Sequence, residues 1–177
     1  MIWFRNVDRR YPFLWETPDQ PPARWHAEGE GPVQYLASTP DGAWAELLRR
    51  EEITEASDLV GVERSLWAVE VDDASERTAE PKLVAGALTG GLASYAACRV
   101  EARRLLTAGS SALSAPSAAL IPGSARGQRV AGGVVEAPDR DGDVLVLFGP
   151  RPSATGWLCV ENGRPSERLL PLVRHLA

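Results

Sequence analysis

Short runs of strand-forming residues and two stretches of helical period divide this chain, and most of the first third can be read from them. Ile2 to Val7 is rich in strand formers and ends at the charged turn Asp8-Arg9-Arg10, which predicts a first strand. Tyr11 to Pro32 then carries Pro12, Pro18, Pro21, Pro22 and Pro32 with Gly29 and Gly31, which excludes a regular helix or a central strand over most of that length. A loop this long inside a compact domain is more often functional than incidental. Val33 to Ala37 is a short apolar strand. Ser38-Thr39-Pro40 follows as a helix start, with Thr39 as N-cap and Pro40 at the first helical position, and the helix runs to about Arg50. Trp44, Leu47 and Leu48 recur at helical spacing and form its buried face, while Glu46 falls to one edge of that stripe.

Ser65 to Val71 alternates as a strand, and Asp72 to Gly91 shows no firm period and reads as loop. Tyr95 to Ala108 has the pattern of a second helix, with Val100, Leu105 and Leu106 inward and Gly109 just past its end. Ala112 to Ala115 fits a strand. Ser124 to Asp143, with Gly127, Gly132, Gly133 and Gly142, reads as a mobile connection. Val144 to Phe148 and Gly156 to Val160 are further strands, the latter joined through Glu161-Asn162-Gly163 to a closing helix from about Pro165 to His175. Strands outnumber helices and there are no internal repeats, so the expected class is α+β.

With 177 residues, 44% of them hydrophobic and 24% charged, the chain suits one domain over residues 1–177. The formal charge of −5 gives no global field that recruits nucleic acid or an anionic membrane. No run reaches the roughly 18 to 20 apolar residues of a membrane span, and charges at Arg5, Asp8, Arg9 and Arg10 replace a signal-peptide core, so a cytoplasmic location is expected. Cys98 and Cys159 lack CxxC spacing and a neighbouring His cluster, which argues against zinc and predicts two buried thiols. No metal site is expected. Rossmann, P-loop and nucleophile-elbow motifs are absent, and only His26 and His175 are present, so any catalysis must lean on Arg, Tyr and carboxylates.

Arg24, Trp25, Tyr35 and Glu46 remain, spread over the Pro-rich loop, a strand and a helix edge. Each has a plain structural reading: a surface charge, two core aromatics and a solvated helical carboxylate. Together they suit a dinucleotide, because guanidinium forks bind phosphate oxygens, aromatic faces stack on nicotinamide and a carboxylate stabilises a cationic ribose.

The order Ala23-Arg24-Trp25-His26, Gly31-Pro32-Val33-Gln34-Tyr35-Leu36-Ala37-Ser38 and Ala43-Trp44-Ala45-Glu46-Leu47 resembles the signature of the RES domain, a family named for its Arg, Glu and Ser. Tyr95-Ala96-Ala97-Cys98-Arg99 and Ala115-Pro116-Ser117-Ala118 resemble the family's next helix and its Val-Pro-Ser-Ala strand, so the likeness spans most of residues 2–150. The resemblance implies a mixed-sheet fold related to ADP-ribosyltransferases and a toxin of a type II toxin–antitoxin pair, beside an Xre-type antitoxin. It implies NAD⁺ as substrate, cleaved at the nicotinamide–ribose bond by hydrolysis or phosphorolysis.

Carried onto this chain, the resemblance gives Arg24 the NAD⁺ phosphates or ribose, Tyr35 the nicotinamide face and Glu46 the ribosyl cation. Arg5 matches an arginine on the family's first strand and adds a second phosphate contact, with Trp25 and His26 beside the dinucleotide. The chain departs from the pattern at Ala23, where the family has Gly, and at His26, where it has Asn: the imidazole either replaces the amide hydrogen bond or marks altered chemistry. Ser117 fits the family's Ser, although some relatives place theirs at the start of the preceding helix, where this chain has Ala96 with Ser94 nearby. Ser117 equally suits a hydroxyl that satisfies a turn. Two alternatives stand beside NAD⁺ degradation: a mono-ADP-ribosyltransferase that modifies a protein, and a degenerate fold that only binds a partner or nucleotide. A homo-oligomer is compatible with either.

Overall fold

A computed structural model describes residues 1–72 and 76–176, so part of the loop expected from Asp72 to Gly91 lies outside the described residues. In chain order the elements are β1 (Ile2–Asp8), β2 (Val33–Ala37), α1 (Pro40–Arg50), β3 (Arg64–Glu70), β4 (Thr78–Ala79), α2 (Ala85–Thr89), α3 (Tyr95–Thr107), β5 (Ala112–Pro116), β6 (Ala125–Val130), β7 (Val134–Arg140), β8 (Asp143–Phe148) and β9 (Thr155–Gly163). Three short 3₁₀ turns, Ala56–Gly61, Leu92–Ser94 and Glu167–Leu172, complete the list. Seven strands form one sheet in the order β4-β5-β8-β2-β1-β3-β9, antiparallel except for the β4–β5 pair. This is the mixed-sheet α+β architecture the sequence predicts.

The sheet's middle explains the sequence pattern. β8 is buried on both faces: Val144, Val146 and Phe148 join one core cluster, and Leu145 and Leu147 join another. A strand covered on both sides reads as a continuous apolar run rather than an alternation. β2 behaves likewise, with Val33, Tyr35 and Ala37 on the face that carries the helices and Leu36 on the other. Trp44, Leu47 and Leu48 of α1 pack against Ala37 and Leu66, while Cys98, Ala102 and Leu105 of α3 pack against Val33, Val146 and Leu113. The two long helices therefore lie side by side on one face. The opposite face is covered in part by Phe13 from the Pro-rich loop.

Thr39 caps α1 as expected, its Oγ1 accepting from Gly42 N–H at 2.9 Å with Pro40 opening the helix. Gly109, just past α3, has φ +91°, a conformation that favours glycine at a helix end.

Several expectations are corrected. Val100 is 64% and Leu106 41% exposed; the inward stripe of α3 is Cys98, Ala102 and Leu105. Two of the three inward residues are small, so the buried face of the helix is not its most hydrophobic one. The stretch Ser124 to Asp143 is a hairpin of β6 and β7, separate from the main sheet. The loop before α3 holds the short strand β4 and the one-turn helix α2. Glu161-Asn162-Gly163 belongs to β9, and the closing segment is a 3₁₀ turn over Glu167–Leu172 with Pro171 inside it, where proline cannot continue an α-helix. Cys159 is exposed on β9, the sheet's edge strand; Cys98 alone of the two is buried. Among the described residues no helix is long and apolar enough to cross a membrane.

Candidate active site

The main sheet opens at its centre. β1 pairs with β3 through seven registered residues and β2 pairs with β8 through five, yet β1 and β2 meet only at Phe4 and Ala37. Beyond that point the strands diverge, and a cleft of about 700 Å³ fills the gap. Arg5, Asn6 and Asp8 line it from β1, Tyr35 and Leu36 from β2, and Ala43, Glu46, Arg49 and Arg50 from α1. Arg24, Trp25, Tyr95 and Ala118 close it from the Pro-rich loop, α3 and the segment after β5. Its volume lies in the range of small-molecule and cofactor sites.

Glu46 projects from the edge of α1 into this cleft. The Ser117 hydroxyl donates to Glu46 Oε1 at 3.0 Å, while its oxygen accepts from Ala119 N–H at 3.2 Å and Leu120 N–H at 3.1 Å. Two donors to one hydroxyl oxygen polarise its O–H towards the carboxylate. Ser117 is therefore both the turn hydroxyl and the partner of Glu46. Burial pushes the Glu46 carboxyl above the usual glutamate range, and the Ser117 hydrogen bond, Arg49, Arg24 and the Ala119 N–H pull the other way.

Arg24 is 7% exposed and is held by the carbonyls of the segment that leads into α3. Its Nη1 donates to Ala87 O at 3.1 Å and to Ser94 Oγ at 2.9 Å, and its Nη2 donates to Gly90 O at 2.5 Å. The guanidinium also lies 4.7 Å from the Tyr95 ring centre, over its face. Tyr35 lines the cleft with its ring, and its hydroxyl is committed: the oxygen accepts from Trp25 N–H at 3.0 Å and lies 2.9 Å from His26 Nδ1. His26 Nε2 lies 3.0 Å from Pro21 O. A carbonyl only accepts, so Nε2 carries the proton and the Tyr35 O–H donates to Nδ1. Burial raises the Tyr35 hydroxyl's pKa and lowers the imidazole's, which keeps both neutral.

The structure thus brings Arg24, Tyr35, Glu46, Ser117, Trp25 and Arg5 to one cleft or its immediate wall. Trp25, 3% exposed, reaches the cleft from within a core cluster. Arg5 donates to Gln34 Oε1 across the opening between β1 and β2, and burial followed by repulsion from Arg50 and Arg64 lowers its pKa to about 10. His26 does not line the cleft; it pins the Pro-rich loop to Tyr35.

The structure adds Arg49, Tyr95 and Arg174 to the residues the sequence predicts around Glu46 and Arg24. Arg49 is 4% exposed; it donates to Ala118 O, to Gly90 O at 2.5 Å and to Thr89 O at 3.4 Å, while its Nε is buried with no partner among the described residues. The signal was its place three residues after Glu46 on the same helix face. Arg174 Nη2 donates to Ser117 O at 2.5 Å and Leu120 O at 2.7 Å, which fixes the turn that presents the Ser117 hydroxyl. No pattern around the C-terminus pointed to it. Among the described residues no cluster of His, Cys, Asp and Glu is arranged to hold a metal ion.

The RES-domain family model matches residues 3–154. The chain belongs to the RES-domain family. No curated protein matches its sequence. Among solved structures, this RES domain is similar to a chain in the crystal structure of the M. tuberculosis MbcT–MbcA toxin–antitoxin complex, at 15% identity and a TM-score of 0.60, covering 96% of this chain and 86% of that one. At that identity the likeness concerns the fold.

Proposed function

We propose that this RES domain cleaves the nicotinamide–ribose bond of NAD⁺ and is the toxin of a toxin–antitoxin pair. The observation that carries the reading is Glu46, a carboxylate held by the Ser117 hydroxyl in a cleft where five arginines outnumber the two carboxylates, Glu46 and Asp8. Family membership, and the dinucleotide chemistry that the resemblance implies, support the choice of substrate.

In the proposed reaction the bond between ribose C1′ and the nicotinamide ring nitrogen breaks, and its electron pair leaves with nicotinamide, which departs neutral. The positive charge left on the ribosyl ring is stabilised by the ionised Glu46. Water then bonds to C1′ and sheds a proton, giving ADP-ribose; with inorganic phosphate as acceptor the product is the 1-phosphate. Arg24 and Arg5 hold the diphosphate, and the Tyr35 ring supports the nicotinamide face. Glu46 acts as an anion, so the Ser117 donor and the Arg49 charge work in the direction catalysis requires.

Likeness to a chain of a toxin–antitoxin complex favours a protein antitoxin as partner, and an Xre-type protein is the expectation. Purified protein incubated with NAD⁺ is expected to release nicotinamide, and Glu46→Ala to release none; equal release by both would overturn the reading. Expression is expected to arrest growth, with relief by the same substitution.

A further inference from the structure

The cleft carries more positive charge than a diphosphate calls for. Arg5, Arg24, Arg49, Arg50 and Arg64 line it against only Asp8 and Glu46. In a chain whose overall charge is −5, such an excess on one concave wall is a local feature. Arg24 and Arg49 belong to the Glu46 end, where they share the Gly90 carbonyl. The other three gather at the far end.

Arg50 stands one helical turn beyond Glu46 on α1. Arg64 comes from β3, where it pairs in register with Asp8 and donates from Nε to Asn6 Oδ1 at 2.8 Å. Arg5 comes from β1. All three line the one cleft, where the charge of Arg50 lowers the pKa of both Arg5 and Arg64 and that of Arg64 lowers the pKa of Arg5. Local carboxylates neutralise them incompletely. Asp8, the cleft's acidic residue at this end, is committed to Arg10 through contacts of 2.9 and 2.8 Å, and Glu51 pairs with Arg50 from an exposed position. Among the described residues the hydrogen-bond partner of Arg5 is the neutral Gln34 side chain. Guanidiniums gathered in one cleft, with Arg5 and Arg64 each spending a donor on a neutral side chain and Arg50 held among the described residues only by the exposed Glu51, describe a phosphate site.

A second feature lies in the same cleft. Tyr11 and Trp15 stack in parallel, ring centres 5.7 Å apart and planes 7° apart, and both are about half exposed, at 50% and 46%. Both line the cleft. Arg10 lies over the Tyr11 ring, 5.8 Å from its centre, and a half-exposed aromatic pair beside a cationic pocket is the combination that receives a base and its phosphate.

We propose that the far end of the cleft binds the adenosine half of the dinucleotide, with the Tyr11–Trp15 stack against the adenine and Arg50 and Arg64 around a phosphate monoester on the ribose, while Arg5 stays with the diphosphate. The preferred substrate class is then a dinucleotide with a 2′-phosphate. This rests on the dinucleotide reading above but concerns the opposite end of the ligand from the bond that breaks.

Calorimetry with adenosine 2′,5′-bisphosphate, adenosine 5′-monophosphate and inorganic phosphate tests it without any turnover. The bisphosphate is expected to bind about tenfold or more tightly than the 5′-monophosphate, one charge-assisted contact being worth at least that factor. Arg50→Gln and Arg64→Gln are each expected to erase most of that preference while leaving 5′-monophosphate affinity unchanged, which also reports that the variants are folded. Equal affinity for the two nucleotides in the wild type overturns the proposal, as does a preference that survives in the double variant. Inorganic phosphate that binds as tightly as the bisphosphate, and is lost in the same variants, assigns the site to free phosphate and overturns the nucleotide assignment. Loss of the dinucleotide reading is seen separately: no nicotinamide release from NAD⁺ or from its 2′-phosphate, with the bisphosphate preference intact, removes the proposed reaction and leaves this site standing.

Discussion

The Ser117 hydroxyl donates to Glu46 Oε1 across 3.0 Å while two backbone N–H groups donate to its oxygen. A residue after β5 and a residue on α1, 71 positions apart in the chain, thereby act as one unit. Ser117→Ala removes a hydrogen bond that lowers the carboxyl's pKa, so Glu46 moves further above its ordinary range. Nicotinamide release is expected to fall about tenfold near neutral pH, the equivalent of one lost hydrogen bond to a charged group. The acidic limb of the kcat/KM profile is expected to move to higher pH. An unmoved limb would show that Ser117 acts only on the turn.

Glu46 has a consequence for stability with a definite sign. Its pKa in the folded protein is raised by burial, so from the ordinary glutamate value upward the folded state holds its proton more tightly than the unfolded chain does. Stability attributable to this group is present at low pH and is lost as pH rises through the raised value. Glu46→Gln, neutral at all pH, is expected to raise Tm by a few degrees at neutral pH and by little in acid, while lowering cleavage by about a hundredfold or more. Thermal scans at two pH values check this.

His26 carries the opposite sign. Burial depresses its pKa, so the folded state holds fewer protons than the unfolded chain as pH falls through the ordinary imidazole value of 6.5. His26→Asn, which installs the family's residue, weakens the link from Pro21 to Tyr35 and is expected to cost about 1 kcal/mol at neutral pH. Urea denaturation should show this gap between wild type and variant narrowing towards pH 5, because the wild type alone must take up the unfavourable proton.

The two thiols differ in access. Cys159 is exposed on the edge strand, and Cys98 is fully buried between α3 and the sheet. A thiol reagent is expected to titrate one cysteine rapidly in the native protein and the second only on unfolding.

The sequence was most legible where local chemistry and tertiary role agree. Thr39-Pro40 announces α1 by capping alone, and the apolar run Val144 to Phe148 announces a buried strand. Legibility failed where packing overrides pattern. On α3 the small residues Cys98 and Ala102 face the sheet while Val100 and Leu106 face solvent, so hydrophobicity pointed the wrong way. The β6–β7 hairpin has no alternating pattern because it pairs with itself, apart from the main sheet. At the candidate site the spacing of Arg24, Tyr35 and Glu46 was visible. Arg49 and Arg174 were not, because their partners are carbonyl groups brought near by the fold. A hydrogen bond to backbone leaves no mark in the partner's residue type.

The central claim is that Glu46 stabilises the cation formed as the nicotinamide bond opens, and does not serve mainly to bind NAD⁺. The direct test measures both steps in Glu46→Gln: equilibrium binding of NAD⁺ by calorimetry and nicotinamide release in a single turnover. Affinity is expected to stay within about threefold of wild type while release falls by about a hundredfold or more, the pattern of an interaction made in the transition state. Release at the wild-type rate, or a loss explained wholly by weaker binding, would contradict the account.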